Sequence, residues 1–215
     1  MARIAVFGGS FNPIHYGHLL LADEVLEQLG LDRVLFVPAA APPHKAPGTL
    51  APAAHRYAMV QLATAGHPGF AVSDVELKRP GPSYTVDTLE TLSASGDELF
   101  LVIGSETFLD LLSWRAPRRV AALARLVVVP RSGSAFDPES AAAQKVLRDV
   151  GADRFAAASP ALPPAAVAVA RVTSLPISSS DLRRRAARGR SLAYRLPADV
   201  IDYIRAHRLY EDAGE

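Results

Sequence analysis

The chain alternates between short continuous apolar runs and longer segments in which apolar residues recur every three or four positions. Runs of the first kind predict strands covered on both faces of a parallel sheet, and segments of the second kind predict amphipathic helices. The first unit is a strand over residues 3–7, a helix over residues 17–29 that stops at Gly30, and a strand over residues 33–37. This order predicts a right-handed βαβ unit.

The same alternation continues to the end of the chain, interrupted by a proline-rich stretch over residues 38–52, which excludes a helix or a central strand there. The stretch from 151 to 170 is rich in alanine and proline and is ambiguous. We predict further strands over residues 70–75, 99–103, 126–129 and 167–172. We predict helices over residues 53–65, 117–124, 135–150, 177–189 and 197–207. Two further helices are predicted, one that starts at Tyr84 with Thr85 as a candidate N-cap and one that ends at residue 114. The predicted fold class is α/β, a doubly wound parallel sheet in a single domain over residues 1–215 with C-terminal helices.

Composition narrows the class of protein. The chain has 215 residues, of which 49% are hydrophobic and 21% charged, and its formal net charge is +1. This balance predicts a globular protein with no bulk attraction to nucleic acid or to a membrane surface. There is no cysteine, which excludes disulfides and thiol catalysis and suits a reducing cytoplasm. We expect neither a signal peptide nor a membrane span, because no apolar run is long enough.

The loop after the first strand carries the first candidate site, Gly8-Gly9-Ser10-Phe11 followed by His15 and His18. A helix start presents backbone N–H groups and the positive end of the helix dipole to an anion. Two histidines three residues apart share one face of a helical first turn, and both imidazoles can donate hydrogen bonds to phosphate oxygens. Gly17 has no Cβ, so that a flat group can approach the backbone. The pattern predicts a nucleotide phosphate site, although it matches neither GxGxxG nor a Walker motif.

Two other interpretations of the histidine pair remain at this stage. One is a metal site, but no cysteine or third nearby ligand accompanies the pair. The other is a purely structural role.

A second candidate site lies near the C-terminus, where Ser178-Ser179-Ser180 precedes Asp181-Leu182-Arg183. Hydroxyls and backbone N–H groups at a helix start can bind phosphate, and an arginine can bind it through two parallel hydrogen bonds. The alternative is an ordinary serine cap before a solvated basic face.

These two segments resemble a known pair of signatures. GGSFNPIHYGH resembles the T/HxGH signature of the nucleotidylyltransferase superfamily, and ISSSDLR resembles its ISSTxxR signature. The intervening segments PPHK, HRYAM, PSYTVDT, GSE with Trp114, and Pro130-Arg131 look like those of bacterial nicotinate-nucleotide adenylyltransferases. Two positions depart from the family pattern, Ser180 in place of threonine and Glu106 where aspartate is commoner.

The resemblance implies a Rossmann-like fold and a reaction in which the 5′-phosphate of nicotinate mononucleotide attacks the α-phosphorus of ATP. Deamido-NAD and pyrophosphate would be the products, with Mg²⁺ carried by the ATP phosphates. The implied catalytic residues are His15, His18 and Arg183. The implied ATP-binding residues are Gly8, Gly9, Ser10, Phe11, Gly17, Gly104, Glu106, Ile177, Ser178 and Ser179. The implied residues for the acceptor are His44, Lys45, Tyr84, Thr85, Trp114 and Arg131.

On this reading, Trp114 stacks on the pyridine ring, Tyr84 and Thr85 bind the carboxylate, and His44, Lys45 and Arg131 meet the acceptor phosphate. Without the resemblance, Trp114 is equally well explained as a core residue. Three alternative functions are open: adenylyl transfer to nicotinamide mononucleotide, transfer to phosphopantetheine, and a non-catalytic nucleotide-binding module. The oligomeric state is also open, with a homo-oligomer among the alternatives.

Overall fold

Seven parallel strands form one sheet within the residues that the computed structural model describes, which are 1–46, 48–130 and 136–211. Each neighbouring pair is parallel, in the order β3-β2-β1-β4-β5-β7-β6. The doubly wound parallel sheet predicted from the sequence is therefore confirmed. The strands are β1 (Arg3–Gly9), β2 (Arg33–Pro38), β3 (Phe70–Val72), β4 (Glu98–Gly104), β5 (Arg125–Val129), β6 (Arg154–Ala157) and β7 (Ala166–Val169).

Helices connect the strands and complete the C-terminal part of the fold. No helix in the described ranges combines the length and the apolar character needed to cross a bilayer. The helices are α1 (Tyr16–Leu29), α2 (Ala53–Thr64), α3 (Val75–Lys78), α4 (Thr85–Ser93), α5 (Ser105–Leu109), a 3₁₀ turn (Leu111–Ser113), α6 (Pro117–Leu123), α7 (Ala141–Val150), α8 (Ser179–Ala187) and α9 (Ala198–Ala206).

The sheet has a hydrophobic core on each face. Successive side chains of β1 point to opposite faces, so Ala5 belongs to one core while Ile4 and Val6 belong to the other. Helices α1, α2, α8 and α9 cover the first core, and α4, α5, α6 and α7 cover the second. The central strands are therefore apolar throughout, and this continuity makes them visible in the sequence.

The strand order reverses between β1 and β4. From β1 the chain winds outward through β2 and β3, and then returns to the other side of β1 with β4. In open α/β sheets, ligands bind outside the carboxyl ends of the strands at such a switch point. The segments that follow β1 and β4, Gly8–Ser10 and Gly104–Glu106 in the chain, both lie at this edge.

Two short elements, α3 and β6, are not predicted by the hydrophobic pattern. The predicted strand over residues 70–75 ends at Val72, and α3 begins at Val75. The predicted last strand over residues 167–172 is β7, which ends at Val169, and β6 lies in the ambiguous stretch before it. Elements of three or four residues are too short to establish a period.

Two predicted helices are shorter than expected. The helix predicted over residues 135–150 begins at Ala141, because the Ser140 side chain caps it by accepting a hydrogen bond from the Ala143 N–H group at 3.3 Å. The helix predicted up to residue 114 ends at Leu109 and continues only as the 3₁₀ turn.

Candidate active site

The two histidines of the loop after β1 stack on each other. His15 is the N-cap of α1 and has extended backbone angles, φ −153° and ψ 169°, so it lies just before the first helical turn, with its ring beside that of His18. Its backbone N–H donates to Nδ1 of His18 at 3.2 Å, and the ring centroids are 3.7 Å apart. Because His18 Nδ1 accepts a hydrogen bond, the neutral ring carries its proton on Nε2, which can donate to a phosphate oxygen.

Two glycines of this loop lie close against aromatic rings. A Cβ at Gly17 would lie 3.0 Å from Nδ1 of His15, so the flat group that approaches this backbone is the imidazole of His15 itself. A Cβ at Gly9 would lie 3.0 Å from the ring of Phe11. By contrast, no atom lies within 4 Å of a Cβ built at Gly8, which leaves the backbone at the end of β1 open on that side.

Phe11 forms the apolar wall of the loop. Its ring is 3% exposed and meets the His18 ring edge-on, with the centroids 5.3 Å apart. The His18 imidazole is therefore held between an aromatic edge and the ring of His15. These contacts restrict the rotamers of His18, so its Nε2 points in a fixed direction.

The start of α8 packs directly against the same loop. The Ser179 hydroxyl donates to the carbonyl of Pro13 at 2.9 Å, and Arg183 Nη1 donates to the carbonyl of Asn12 at 2.8 Å. Ser178 is the N-cap of α8, and its hydroxyl oxygen accepts from the Asp181 N–H at 3.1 Å. The structure thus brings the two sequence motifs together, although 171 positions separate Asn12 from Arg183. Ile177 precedes this helix start and packs against the core.

Gly104 and Glu106 lie at the end of β4. Gly104 is the last residue of the strand and the N-cap of α5, and it has almost no neighbours within 4 Å of a built Cβ, the nearest being Thr107 Oγ1 at 3.9 Å. Glu106 is an exposed residue in the first turn of α5. These positions border the carboxyl edge of the sheet next to the loop after β1.

The predicted acceptor residues of α4 and its surroundings form one surface. Tyr84, not Thr85, is the N-cap of α4, and neither side chain makes a capping hydrogen bond. Tyr84 and Trp114 pack against the same core. Arg115, which sequence reasoning did not single out, lies with its guanidinium 4.9 Å from the centre of the Tyr84 ring and 3.5 Å from the Asp87 carboxylate.

The start of the loop after β2 is hydrogen-bonded to Ser83, the residue before Tyr84. The Ser83 hydroxyl oxygen accepts hydrogen bonds from the backbone N–H groups of Ala40 and Ala41, each at 3.1 Å. Further along, His44 and Lys45 are exposed, so their side chains are available to a ligand. Arg131, the remaining predicted acceptor residue, lies outside the described residues.

Two ionisable side chains near the loops, Arg56 and Tyr210, are not among the site residues predicted from the sequence. Arg56 is 1% exposed, and burial lowers the pKa of its guanidinium from the ordinary value. Burial also raises the pKa of the Tyr210 phenol above its usual range. Arg56 stands in the HRYAM segment, and it shares a helical face with the buried residues Met59 and Val60 of α2.

In the part of the chain that the structure describes, no group of three or more His, Cys, Asp or Glu side chains is arranged to hold a metal ion. The described site supplies imidazole, guanidinium, hydroxyl and backbone N–H groups.

Comparison with known sequences gives a consistent result. The family model described as cytidylyltransferase-like matches residues 6–185. A probable nicotinate-nucleotide adenylyltransferase of Thermomicrobium roseum is 43% identical over 212 residues, which cover 98% of this chain and 92% of that protein. A probable nicotinate-nucleotide adenylyltransferase of a Roseiflexus species is 45% identical over 210 residues, with 97% and 98% covered.

Comparison with solved structures supports the same fold. A Plasmodium falciparum nicotinic acid mononucleotide adenylyltransferase complexed with NaAD superimposes with a TM-score of 0.73 at 18% identity, and 98% of each chain is covered. At this identity the match concerns the fold alone.

Proposed function

The chain belongs to the cytidylyltransferase-like family and, within it, to the nicotinate-nucleotide adenylyltransferases, and we propose on this basis that it transfers the adenylyl group of ATP to nicotinate mononucleotide. The products are deamido-NAD and pyrophosphate, and the reaction belongs to NAD biosynthesis. The resemblance drawn from the HxGH-type and ISSSDLR segments is confirmed by these relatives.

One observation supports the assignment more than any other. The stacked pair His15 and His18 and the α8 residues Ser179 and Arg183 meet at the same loop after β1. Adenylyl transfer needs positioned cations and hydrogen-bond donors around the phosphates rather than a covalent nucleophile. The described side chains at this loop supply donors of that kind.

We propose the following division of roles for the reacting phosphates. An oxygen of the acceptor 5′-phosphate forms a bond to the α-phosphorus of ATP while the bond from that phosphorus to the β-phosphate oxygen breaks, and pyrophosphate leaves with the electron pair. His15 and His18 donate to the α-phosphoryl oxygens, where charge develops. Ser178, Ser179 and Arg183 bind the β- and γ-phosphates through hydroxyl, backbone and guanidinium donors.

The remaining predicted residues bind the rest of the two substrates in this proposal. The backbone of Gly8, Gly9 and Ser10, with Phe11, Gly17 and Ile177, lines the ATP phosphates, and Gly104 and Glu106 border the adenosine. The acceptor is bound by the other set of residues, Trp114 on its pyridine ring, Tyr84 and Thr85 on its carboxylate, and His44, Lys45 and Arg131 on its phosphate.

We further propose that Mg²⁺ arrives with ATP as part of the substrate, since phosphate oxygens and water are the ligands that this ion prefers. The whole chain would act as one nucleotidylyltransferase domain, which the single continuous sheet supports. We expect the enzyme to act in the cytoplasm and to need neither nucleic acid nor membrane. A homo-oligomer is a further proposal, and sedimentation tests it.

The test is pyrophosphate release in the presence of ATP, Mg²⁺ and one acceptor at a time. We expect release with nicotinate mononucleotide. Release with phosphopantetheine and with neither mononucleotide would contradict the acceptor assignment, and preference for nicotinamide mononucleotide would move the assignment to the amide. No release with any acceptor would favour a non-catalytic nucleotide-binding module.

A substitution separates catalysis from folding at the first motif. His18→Ala should lower kcat by about 10²–10³-fold, the usual effect of removing one donor to a charge that develops in the transition state, and should leave the circular dichroism spectrum unchanged. His67→Ala is the matched control, because His67 pairs with Asp23 and stacks on Phe70 at the opposite edge of the sheet. Unfolding of His18→Ala would instead indicate a structural histidine.

A further inference from the structure

A buried asparagine connects the loop after β1 to two distant parts of the chain. Asn12 is 3% exposed, and its Oδ1 accepts hydrogen bonds from the Ala51 N–H at 3.1 Å and from the Tyr210 hydroxyl at 2.9 Å. Ala51 lies at the far end of the loop after β2, and Tyr210 follows α9. One carboxamide oxygen therefore joins three segments.

The orientation of this carboxamide is fixed by its partners. A backbone N–H can only donate, so the atom facing Ala51 must be the oxygen. Nδ2 of Asn12 then has no acceptor among the described residues. Because an unpaired buried donor is costly, the two hydrogen bonds to Oδ1 must be strong enough to hold the side chain in this orientation.

Arg56 makes a second connection between the same two loops. Its Nη1 donates to the carbonyl of Ser10 at 2.8 Å, in the loop after β1. Its Nε donates to the carbonyl of Ala51 at 2.8 Å and its Nη2 to that of Ala40 at 3.3 Å, at the two ends of the loop after β2. A planar guanidinium with several donors fixes the relative orientation of all three carbonyls.

We propose that Tyr210, Asn12 and Arg56 are positioning residues for adenylyl transfer, which hold the loop of the phosphate site in fixed alignment with the loop that carries His44 and Lys45. The inference rests on the proposed function, since alignment matters only if the two loops bind the two reactants. Displacing reacting groups by about 1 Å can cost on the order of 100-fold in rate. Tyr210, which follows α9, therefore contributes to catalysis through Asn12.

The decisive variant is Tyr210→Phe, which removes one hydroxyl and keeps the ring. We expect kcat to fall about tenfold while KM for ATP and for the acceptor changes by less than about twofold, because alignment is lost and binding groups are retained. Tyr203→Phe is the matched control: it removes a hydroxyl from the neighbouring helix α9, whose partner is Nδ1 of His55 at 2.9 Å. We expect its kcat to equal that of the wild type.

A variant at Asn12 tests the same alignment without altering the C-terminal segment. Asn12→Ala loses the hydrogen bonds to Ala51 and Tyr210 and should behave like Tyr210→Phe, with kcat about tenfold lower and little change in KM. A wild-type kcat in Asn12→Ala would overturn the inference.

A second readout does not depend on turnover. Lys45 is exposed in the loop after β2, so cleavage by trypsin after Lys45 reports how firmly that loop is held. Without substrates, cleavage should be faster in Tyr210→Phe than in Tyr203→Phe.

The outcomes separate the inference from the proposed function. Equal kcat and equal cleavage in the two tyrosine variants would overturn the positioning role while leaving adenylyl transfer intact. A wild-type protein that releases no pyrophosphate would contradict the proposed function, and the cleavage rates would then decide whether the network holds the loops. If Tyr210→Phe fails to fold, Asn12→Ala decides.

Discussion

At the scale of single residues, Gly17 explains why the first motif has the form HxGH. The His15 imidazole has its Nδ1 only 3.0 Å from the place of a Cβ at position 17, and the same ring stacks on His18. A side chain at position 17 would push His15 away from this place. The glycine therefore acts on the chemistry indirectly, by allowing one histidine to support the other.

Gly17→Ala should lower kcat by about 10- to 100-fold with little change in the far-ultraviolet circular dichroism spectrum, because the new methyl group would lie 3.0 Å from His15 Nδ1 and displace the ring. The measurement is pyrophosphate release under saturating substrates. Gly66→Ala is the control, since no atom lies within 4 Å of its Cβ, and it should match the wild type. Full activity of Gly17→Ala would mean that the His15 position is not needed.

The residues that sequence reasoning found and those that it did not find differ in a physical way. His15, His18, Ser179 and Arg183 stand in short segments whose local chemistry suggests anion binding. Tyr210 stands in no such segment, and Asn12 stands in the first segment without being singled out, because their importance comes from a hydrogen bond between residues 198 positions apart. A contact at that separation leaves no pattern along the chain.

At the scale of elements, the sequence predicted the buried strands well and the short peripheral elements poorly. Strands β1, β2, β4 and β5 are continuous apolar runs because both faces of the sheet are covered. The edge strands β3 and β6 are only partly buried, with three and four residues, so their composition is not distinctive. Packing against neighbours, rather than local preference, decides these elements.

The end of α1 was predictable from one residue, and its stability should depend on that residue. Gly30 has φ +57° in the left-handed region, and its N–H donates to the carbonyls of Glu27 and Leu26. Gly30→Ala should lower the free energy of unfolding by about 1 kcal/mol, because a Cβ is strained there and would also lie 3.2 Å from Pro160.

Chemical denaturation measures this loss. Gly30→Asn should lose less than Gly30→Ala, because asparagine tolerates the left-handed conformation better than other residues with a side chain. Equal losses for the two variants would show that the contact with Pro160, rather than the backbone conformation, determines the cost.

At the scale of the whole molecule, the candidate site and the ion pairs that stabilise the sheet lie at opposite ends of the strands. The candidate site lies at the carboxyl ends of the strands, and a charged cluster joins the amino ends. Glu98, the first residue of β4, pairs with Arg3 of β1 at 3.3 Å and with Arg125 of β5 at 3.1 Å. Both guanidinium groups lie over the ring of Phe100, at 5.1 and 5.3 Å from its centre.

Glu98→Gln should lower the free energy of unfolding by about 2 kcal/mol, since it leaves two partly buried arginines without their carboxylate. The value of kcat measured well below the melting temperature should not change, because the cluster is at the opposite edge from the site. Glu27→Gln makes the same chemical change on an exposed side chain and should cost less than about 0.5 kcal/mol. Loss of kcat in Glu98→Gln at low temperature would contradict this separation of the two edges.

The hydrogen bond between Asn12 and Tyr210 also has a consequence for synthesis on the ribosome. Tyr210 is added 198 residues after Asn12, roughly 10 to 40 s later at translation rates of about 5–20 residues per second. A nascent chain interrupted before α8 already contains every described strand of the sheet, yet it lacks the supports from Ser179, Arg183 and Tyr210. Such a truncated product would have all the described strands but would lack the helices α8 and α9 that cover one core, and it would not turn over substrate. Catalytic activity therefore reports that translation and folding have reached the last helices.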